Sequence, residues 1–343
     1  QHGVKRIRQS AQVLEAKRLR EKAKLDDYLS LTQDVLSRKK SRDWSEEALQ
    51  LTSRLLQVNP EFYTIWNYRR NIFLNGIFPR SSLEEINDLI TKDLSSTMTA
   101  LKAHPKVYWI WNHRRWCLEN TPNGPGAPGE ADADSWRKTN WDRELFVVEK
   151  LLDADPRNFH AWNYRRYVLA SMPVPRSAKS ELAYTCRKIE ANISNFSAWH
   201  QRSKVLTSLG ESSGSVPSQY LEEEFNLLRN AMYTDPSDQS VWIYHRWLMG
   251  AGKLPKFQGD DKKFLENEIE AIQELLDEQP DSKWCMESII HYKRLLLKKH
   301  PNEVNTKTLL LDCKNLLEQL EILDPARHQR YQDIGQSFAG WRV

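Results

Sequence analysis

Apolar residues recur along most of this 343-residue chain at intervals of three to four positions. That spacing places them on one face of an α-helix. Clear examples are the segments 45–58, 141–154 and 220–234. Each is followed by a second helical pattern, and stretches rich in Gly, Pro and Ser separate the pairs. The pattern therefore predicts an all-α protein built from helical hairpins.

A tryptophan recurs in the second helix of each pair, at intervals of 45, 51, 37 and 43 residues. The repeated positions are Trp66, Trp111, Trp162, Trp199 and Trp242. Proline stands six residues before four of them, and Ile193 takes that place before Trp199. Two further prolines, Pro280 and Pro325, continue the series without the tryptophan. Since each hairpin can bury its apolar face only against its neighbours, we predict an α-solenoid of about seven hairpins.

The residue before each proline suggests where the second helix begins. Asn59 precedes Pro60, and Asp155 precedes Pro156. Asn and Asp are favoured helix N-caps, and proline suits the first helical position. We therefore predict that each proline begins the second helix of its hairpin, with the tryptophan on the second turn.

Two regions differ in composition from the repeats. We predict a basic N-terminal arm and helix over residues 1–44 and the repeat superhelix over residues 45–343. The segment 120–135 is rich in Gly, Pro, Ala and Asp and accounts for the 51-residue interval. Long breaks of this kind are often surface loops, so we predict a disordered insertion there.

Charge and cysteine content narrow the class of protein. The net charge is +4, and residues 1–40 hold eleven Lys or Arg against five Asp or Glu. A nucleic-acid-binding solenoid more often carries its basic excess along the repeats, so we predict no nucleic-acid partner and treat the arm as a solvated helix. Four scattered cysteines without a CxxC pair favour a reducing, cytoplasmic setting and argue against a zinc site made by this chain alone. We expect neither a signal peptide nor a membrane span, because no apolar run is long enough.

Positions shared by all repeats are expected to build the stack. Aromatic residues stand three positions before four of the tryptophans, and arginines stand three and four positions after most of them. On a helix these positions share one side. We predict that the tryptophan and its aromatic partner form the core between repeats, and that the arginines pair with acidic residues of the next repeat.

Positions that differ between repeats are better candidates for function. The second and third repeats place Lys106, Tyr108, Arg157 and His160 near the starts of successive helices. Helix N-termini carry partial positive charge, so these side chains would suit a phosphate-like anion; a solvated surface is the alternative. The chain has no GxSxG, Walker or HExxH motif. Another chain would therefore have to supply most of a catalytic pocket.

The repeated P-x-x-Y/F-x-x-W-x-x-R-R units resemble the repeat of protein prenyltransferase α subunits, over roughly residues 45–335. Within that family, the opening HGVKR and the stretch NPEFYTIWNYRR from Asn59 are similar to the members that act on Rab GTPases. The similarity is to their short form, without immunoglobulin-like and leucine-rich domains. The resemblance implies a crescent-shaped solenoid wrapped around a β subunit that holds zinc and the isoprenoid pocket. It also implies transfer of geranylgeranyl from geranylgeranyl diphosphate to C-terminal cysteines of Rab GTPases, which an escort protein presents.

The resemblance assigns roles to individual residues. Two diphosphate-binding residues of the family's second repeat fall on Lys106 and Tyr108. A Tyr-His pair in the third repeat of some members falls on Phe159 and His160, so only the histidine carries over. Members that act on CaaX sequences have Gln, which helps to bind the substrate's terminal carboxylate, where this chain has Trp109. Tryptophan has one N–H donor and cannot replace that amide, so we predict that the CaaX terminus is not recognised.

Two other functions stay open. The chain could be the α subunit shared by CaaX farnesyltransferase and type I geranylgeranyltransferase, although Trp109 and HGVKR argue against it. It could also be a non-catalytic helical-repeat scaffold, in which Lys106 and Tyr108 are dispensable. His2 is either an exposed residue of the arm or a ligand that reaches an open zinc position on the partner.

Overall fold

The structure is a computed structural model that describes residues 10–214, 216, 218–251 and 261–338. These residues form fifteen α-helices and no β-strand, which confirms the all-α class. The helices are α1 (Ala11–Lys40), α2 (Glu46–Val58), α3 (Tyr63–Ile72), α4 (Leu83–Ala103), α5 (Tyr108–Glu119), α6 (Ser135–Ala154), α7 (Phe159–Ser171), α8 (Ala178–Ala191), α9 (Phe196–Ser213), α10 (Ser218–Thr234), α11 (Gln239–Arg246), α12 (Asp261–Glu278), α13 (Lys283–Lys299), α14 (Thr306–Leu323) and α15 (His328–Gln336). Short π-helical turns follow α3 and α11, at Phe73–Ile77 and Trp247–Ala251.

The helices pair into seven antiparallel hairpins within two compact units, residues 1–175 and 176–343. The first unit contains the hairpins α2–α3, α4–α5 and α6–α7, and the second contains α8–α9, α10–α11, α12–α13 and α14–α15. Inside the first unit, α4 packs against α6 and α5 packs against both α3 and α7. Inside the second, α11 packs against α9 and α13. Within each unit, consecutive hairpins thus bury their faces against each other, which confirms the predicted α-solenoid.

The six-residue spacing between proline and tryptophan has a direct structural cause. In all five repeats the indole Nε1–H donates to the backbone carbonyl oxygen six residues earlier, at 2.7–3.0 Å. These tryptophans are buried, so the bond satisfies their one polar group. Ile193 can replace proline before Trp199 because the acceptor is a backbone carbonyl, which every residue provides.

The second helices begin three residues after the proline, so the prediction that proline begins each helix is wrong. α5, for example, begins at Tyr108 and not at Pro105, which makes Trp111 its fourth residue. A carbonyl inside the helix would accept from the N–H four residues later. The proline lies instead in the preceding turn, where its carbonyl accepts the indole N–H.

The residue before the proline closes the preceding helix and does not open the next one. Asn59 is the C-cap of α2, and Asp155 is the C-cap of α6. Their side-chain oxygens accept from the backbone N–H of Glu61 and Arg157, two residues later, at 3.1 and 3.3 Å. This arrangement is an Asx turn, the local bond that makes Asn and Asp favourable in turns.

Three of the arginines that stand three residues after a tryptophan join consecutive hairpins. Arg114 on α5 is buried and donates to both carboxylate oxygens of Glu144 on α6, at 2.8 and 2.5 Å. It also donates to the Thr97 hydroxyl and to a backbone carbonyl of α4. Arg69 and Arg202 make the corresponding three kinds of contact in their own repeats. The predicted pairing of arginine with an acid of the next repeat is confirmed.

The segment 120–135, predicted to be disordered, has defined turns in the structure. The Gly124 N–H donates to the Ala133 carbonyl at 2.5 Å, and the Ala127 N–H donates to the Glu130 carboxylate at 2.7 Å. A Cβ at Gly124 would lie 1.7 Å from the Asp132 carbonyl oxygen, so the chain approaches itself closely there. The disorder of this segment stays a prediction.

α1 contacts the repeats along its C-terminal half, from Tyr28, whose hydroxyl accepts from the Asn59 amide at 2.8 Å. Val35 is its buried residue, and Arg38 forms ion pairs with Asp34, Asp43 and Glu47 at 2.9–3.0 Å. The rest of its surface is largely exposed. Among the described helices, none combines the length and the apolar character needed to cross a membrane.

Candidate functional site

The starts of α5 and α7 lie side by side, because these two helices pack against each other in consecutive hairpins. Lys106 and Arg157 occupy the turns that lead into them, and both side chains are exposed. Tyr108 is the first residue of α5, and His160 is the second residue of α7. The four residues predicted from the differences between repeats therefore occupy two neighbouring helix starts.

Aromatic rings form a continuous row across these helix starts. Tyr63 of α3 lies 5.2 Å from Trp109, measured between ring centroids, and Tyr108 lies 6.2 Å from Trp109. Tyr108 then meets the edge of the His160 ring at 5.5 Å, and His160 lies 3.9 Å from Phe159.

The prediction that the aromatic residue before each tryptophan lies in the core is wrong. Tyr63 and Tyr108 are each 53% exposed, and Phe159 is 66% exposed. Positions i and i+3 are neighbours on a helix, so helical spacing alone does not distinguish this exposed side chain from the buried tryptophan. The aromatic residue is the first helical residue, with no preceding turn to cover it. The tryptophans alone form the predicted core.

Electrostatics at the site favour a bound anion. Burial lowers the pKa of His160, and the nearby positive charge of Lys106 lowers it further. At neutral pH the imidazole is therefore neutral, with one N–H to donate. Lys106 and Arg157 supply two exposed cations, and Tyr108 supplies a phenol.

The start of α5 adds unsatisfied backbone donors to this surface. Its N-cap is Val107, whose side chain cannot accept a hydrogen bond from the first turn. α7, in contrast, is capped by Asn158. Free N–H groups at a helix start favour negative charge nearby. The arrangement can hold a diphosphate-like group and stabilise charge that develops on it.

Asn158 links the two helix starts, and sequence reasoning did not single it out. Its Oδ1 accepts from the backbone N–H groups of His160 and Ala161 at 3.0 and 3.3 Å. Its Nδ2 donates to the Pro105 carbonyl at 3.2 Å, in the turn that carries Lys106. The signal that could have found it is its N-cap position, three residues after the Asp155 C-cap.

Trp109 is half-buried between Tyr63 and Tyr108. Trp109 is the second residue of α5, beside the candidate anion site. Its side chain has an indole ring and no amide at this position. Whether it replaces a carboxylate-binding residue remains a prediction. His2 lies outside the described residues.

One group of potential metal ligands occurs among the described residues, and it was missed in the sequence. Asp93, His113 and Cys117 are buried with their ligand atoms within 4.8 Å of one another. His113 and Cys117 are four residues apart on α5, a spacing that places them on one face. The Arg69 guanidinium already donates hydrogen bonds to both oxygens of the Asp93 carboxylate. Burial raises the pKa of the Cys117 thiol. A fixed guanidinium and a protonated thiol do not fit a metal ion, so we treat this cluster as part of the packing.

Comparison with known proteins assigns the repeats to a family. The protein prenyltransferase alpha subunit repeat matches residues 45–76, 90–121, 141–172, 178–209 and 221–251. These five matches cover much of the first five hairpins. Among solved structures, the Candida albicans protein geranylgeranyltransferase-I complexed with GGPP contains a similar chain, with a TM-score of 0.67 and 21% identity. The match covers 91% of this chain and 90% of that one, and at this identity it shows the fold alone.

Curated relatives are similar along most of the sequence. Geranylgeranyl transferase type-2 subunit alpha of Schizosaccharomyces pombe is 39% identical over 353 residues, which is 97% of each chain. The protein of that name in Candida albicans is 32% identical over 375 residues, again 97% of each. The human protein is 39% identical over 254 residues, which is 73% of this chain and 42% of the human one. With five matched repeats and such relatives, this chain belongs to the protein prenyltransferase α-subunit family, in its geranylgeranyl transferase type-2 branch, and is a subunit of a transferase.

Proposed function

We propose that this chain is the α subunit of a heterodimer that transfers geranylgeranyl from geranylgeranyl diphosphate to C-terminal cysteines of Rab GTPases. The observation that carries the proposal is the convergence of Lys106, Tyr108 and His160 at two adjacent helix starts. The 39% identity to a geranylgeranyl transferase type-2 α subunit supports it. We place this activity in the cytoplasm, in agreement with the four free cysteines.

The chain's own residues act on the diphosphate. As the bond between the first isoprenoid carbon and oxygen breaks, negative charge grows on the leaving diphosphate. The Lys106 ammonium and the Tyr108 phenol donate hydrogen bonds to that charge, and such donors stabilise a transition state more than the ground state. Arg157 adds a second cation, and the neutral His160 ring adds one N–H.

The β subunit supplies the remaining parts of the active site. It holds the isoprenoid pocket and a zinc ion, which keeps the acceptor cysteine as a reactive thiolate. The exposed aromatic row and the exposed cations of this chain form one wall of the completed site. A contribution of His2 to the zinc ion is a separate prediction about the arm.

Substrate choice rests on an escort protein in this proposal. Trp109 occupies the place where an amide would bind a CaaX carboxylate, and its half-buried ring lies between two tyrosines. The heterodimer therefore does not select its substrate by the terminal carboxylate. A Rab escort protein, bound to the α subunit, brings the Rab tail to the site.

Two alternatives make different predictions. The CaaX-specific α subunit would have the same fold, because the match to a type I enzyme at 21% identity shows the fold alone. A scaffold without catalytic role would use the site as a solvated surface.

Co-purification with β subunits tests the proposal. The chain is expressed with a type II or a type I β subunit, and transfer of labelled geranylgeranyl from its diphosphate is measured. We expect a stable, active complex with the type II subunit only. Activity with the type I subunit on a CaaX peptide supports the first alternative, and no stable partner supports the second.

A further inference from the structure

Asn158 forms hydrogen bonds through both its side-chain oxygen and its side-chain nitrogen in a buried position. It is 4% exposed, and its Oδ1 accepts the two backbone bonds that begin α7. Its Nδ2 donates across the hairpin boundary to the Pro105 carbonyl. That carbonyl also accepts from the Trp111 indole at 3.0 Å. The turn before α5 is therefore held by one donor from its own helix and one from the next hairpin.

The cap position differs in other repeats. Asn195 stands in the same place before α9 and accepts from the Ala198 N–H at 3.3 Å. It is fully buried, and its Nδ2 has no hydrogen-bond partner in the described part of the chain. Val107, at this place before α5, has no polar group to offer. Capping a helix thus requires only one side-chain oxygen. A second bond to the turn of the neighbouring hairpin occurs at Asn158 and also at Asp238 before α11, whose carboxylate accepts from the Ser194 hydroxyl.

The second bond of Asn158 joins the two sides of the candidate site. Lys106 follows Pro105 directly, and His160 is two residues after Asn158. Tyr108 and His160 meet at 5.5 Å between ring centroids, so groups from both turns can contact one anion. A misplacement of about 1 Å in such a set can reduce a rate by about a hundredfold.

We propose that Asn158 is a positioning residue, which holds the turn carrying Lys106 against the helix start carrying His160. It touches neither substrate nor reacting atoms and acts through the Pro105 carbonyl. The structural part of the inference is independent of activity, and its kinetic consequence rests on the proposed function.

The structural part is tested by NMR titration of histidines in the full chain. Asn158→Ser keeps a capping oxygen but is too short to reach Pro105. Asn195→Ser makes the same change where no second bond exists. We expect Asn158→Ser to raise the pKa of His160 toward the value seen in Lys106→Met, because the Lys106 charge is no longer held near it. Asn195→Ser is expected to leave it at the wild-type value. A His160 pKa in Asn158→Ser that is not above the wild-type value overturns the proposal.

The kinetic part uses the complex with its β subunit. Asn158→Ser is expected to lower kcat by on the order of tenfold, with little change in KM for the diphosphate. In a Lys106→Ala background the same substitution is expected to lower kcat less than about twofold, because its effect passes through Lys106. Equal losses in both backgrounds would show a general structural role and overturn the proposal.

A folding control keeps the two tests interpretable. If Asn158→Ser lowers the melting temperature far more than Asn195→Ser, Asn158→Thr replaces it in both tests, because it keeps a capping oxygen, adds no charge and is too short to reach Pro105. The Asn195→Thr variant makes the same change at the start of α9 and is its control. If no β subunit yields activity, the proposed function fails while the titration still decides the role of Asn158.

Discussion

At the residue scale, Lys106 and Trp111 stand five positions apart and have opposite surroundings. Lys106 is exposed in a turn, and Trp111 is 5% exposed with its N–H bonded to the Pro105 carbonyl. The repeat pattern predicted a functional role for Lys106, where the repeats differ, and a structural role for Trp111, which recurs in five repeats. The indole-to-carbonyl bond could not be predicted, because it depends on a turn that the proline pattern wrongly assigned to a helix.

Lys106→Ala is expected to slow prenyl transfer on the order of 10²-fold, because one donor to the developing charge is lost. Its melting temperature should match wild type, since the side chain makes no buried contact. Single-turnover assays of the complex with its β subunit measure the rate. Lys102→Ala, at an exposed position near the end of α4, serves as the control. Equal rates for Lys106→Ala and wild type would remove Lys106 from the site.

Trp111→Ala is expected to lower the free energy of unfolding by roughly 3–5 kcal/mol, because a large buried side chain is removed. Trp111→Phe keeps a ring and loses the N–H, so its cost should be smaller, with about 1 kcal/mol from the lost hydrogen bond. Thermal denaturation compares the two variants. A melting curve of Trp111→Ala that coincides with wild type contradicts the assignment of this residue to the core.

At the element scale, three buried arginines, Arg69, Arg114 and Arg202, each join a hairpin to the next one within the same unit. The pairing was predictable, because arginine recurs at a fixed distance from tryptophan while acids recur in the following helix. The exposure of Tyr63, Tyr108 and Phe159 was not. Helical spacing places the arginine and the aromatic residue on the same side of the helix. Only the packing of the next hairpin decides which of the two side chains is buried.

Removal of the acid from a buried arginine–carboxylate pair should lower the free energy of unfolding substantially. Glu144→Ala leaves the Arg114 guanidinium buried without its carboxylate, which typically costs about 3–5 kcal/mol. For a unit of this size that corresponds to a fall in melting temperature of roughly 6–20 °C. Lys17→Ala breaks the exposed pair with Glu21 on α1, at 3.7 Å, and should change nothing measurable. Similar melting temperatures for both variants would contradict a structural role for the Arg114–Glu144 pair.

α13 should make stability depend on pH. Burial lowers the pKa of His291 from 6.5 to about 4, and the charges of Arg246, Arg294 and His245 contribute. The folded chain therefore keeps this ring neutral while the unfolded chain protonates it near its ordinary pKa. Stability from this group is present above pH 6.5 and is lost as the pH falls from there toward about 4.

The His291→Gln variant tests that dependence through melting temperatures measured between about pH 7 and pH 5, where most carboxylates stay charged. We expect its melting temperature to fall less than that of wild type over this range. His104→Gln, which alters an exposed histidine, should follow the wild-type curve. Parallel curves for His291→Gln and wild type would show that the ring is not held neutral by its surroundings.

At the scale of the whole molecule, the repeat pattern was enough to predict an all-α solenoid and its family. Five tryptophans at regular intervals specify the hairpins, because each hairpin needs its neighbours to bury its face. The exact helix starts and the hydrogen bond from Asn158 to the Pro105 carbonyl could not be predicted in this way. They depend on individual bonds to the backbone, which the spacing of apolar residues does not reveal. In the proposed heterodimer the β subunit supplies the rest of the site, and this sequence does not specify that part.

Escort dependence tests the central claim most directly. The purified complex of this chain with a type II β subunit is given labelled geranylgeranyl diphosphate and a Rab GTPase, with and without escort protein, or a CaaX peptide alone. The account predicts labelled Rab cysteines only when the escort protein is present, and an unlabelled peptide. Labelling of the CaaX peptide without escort protein would contradict it.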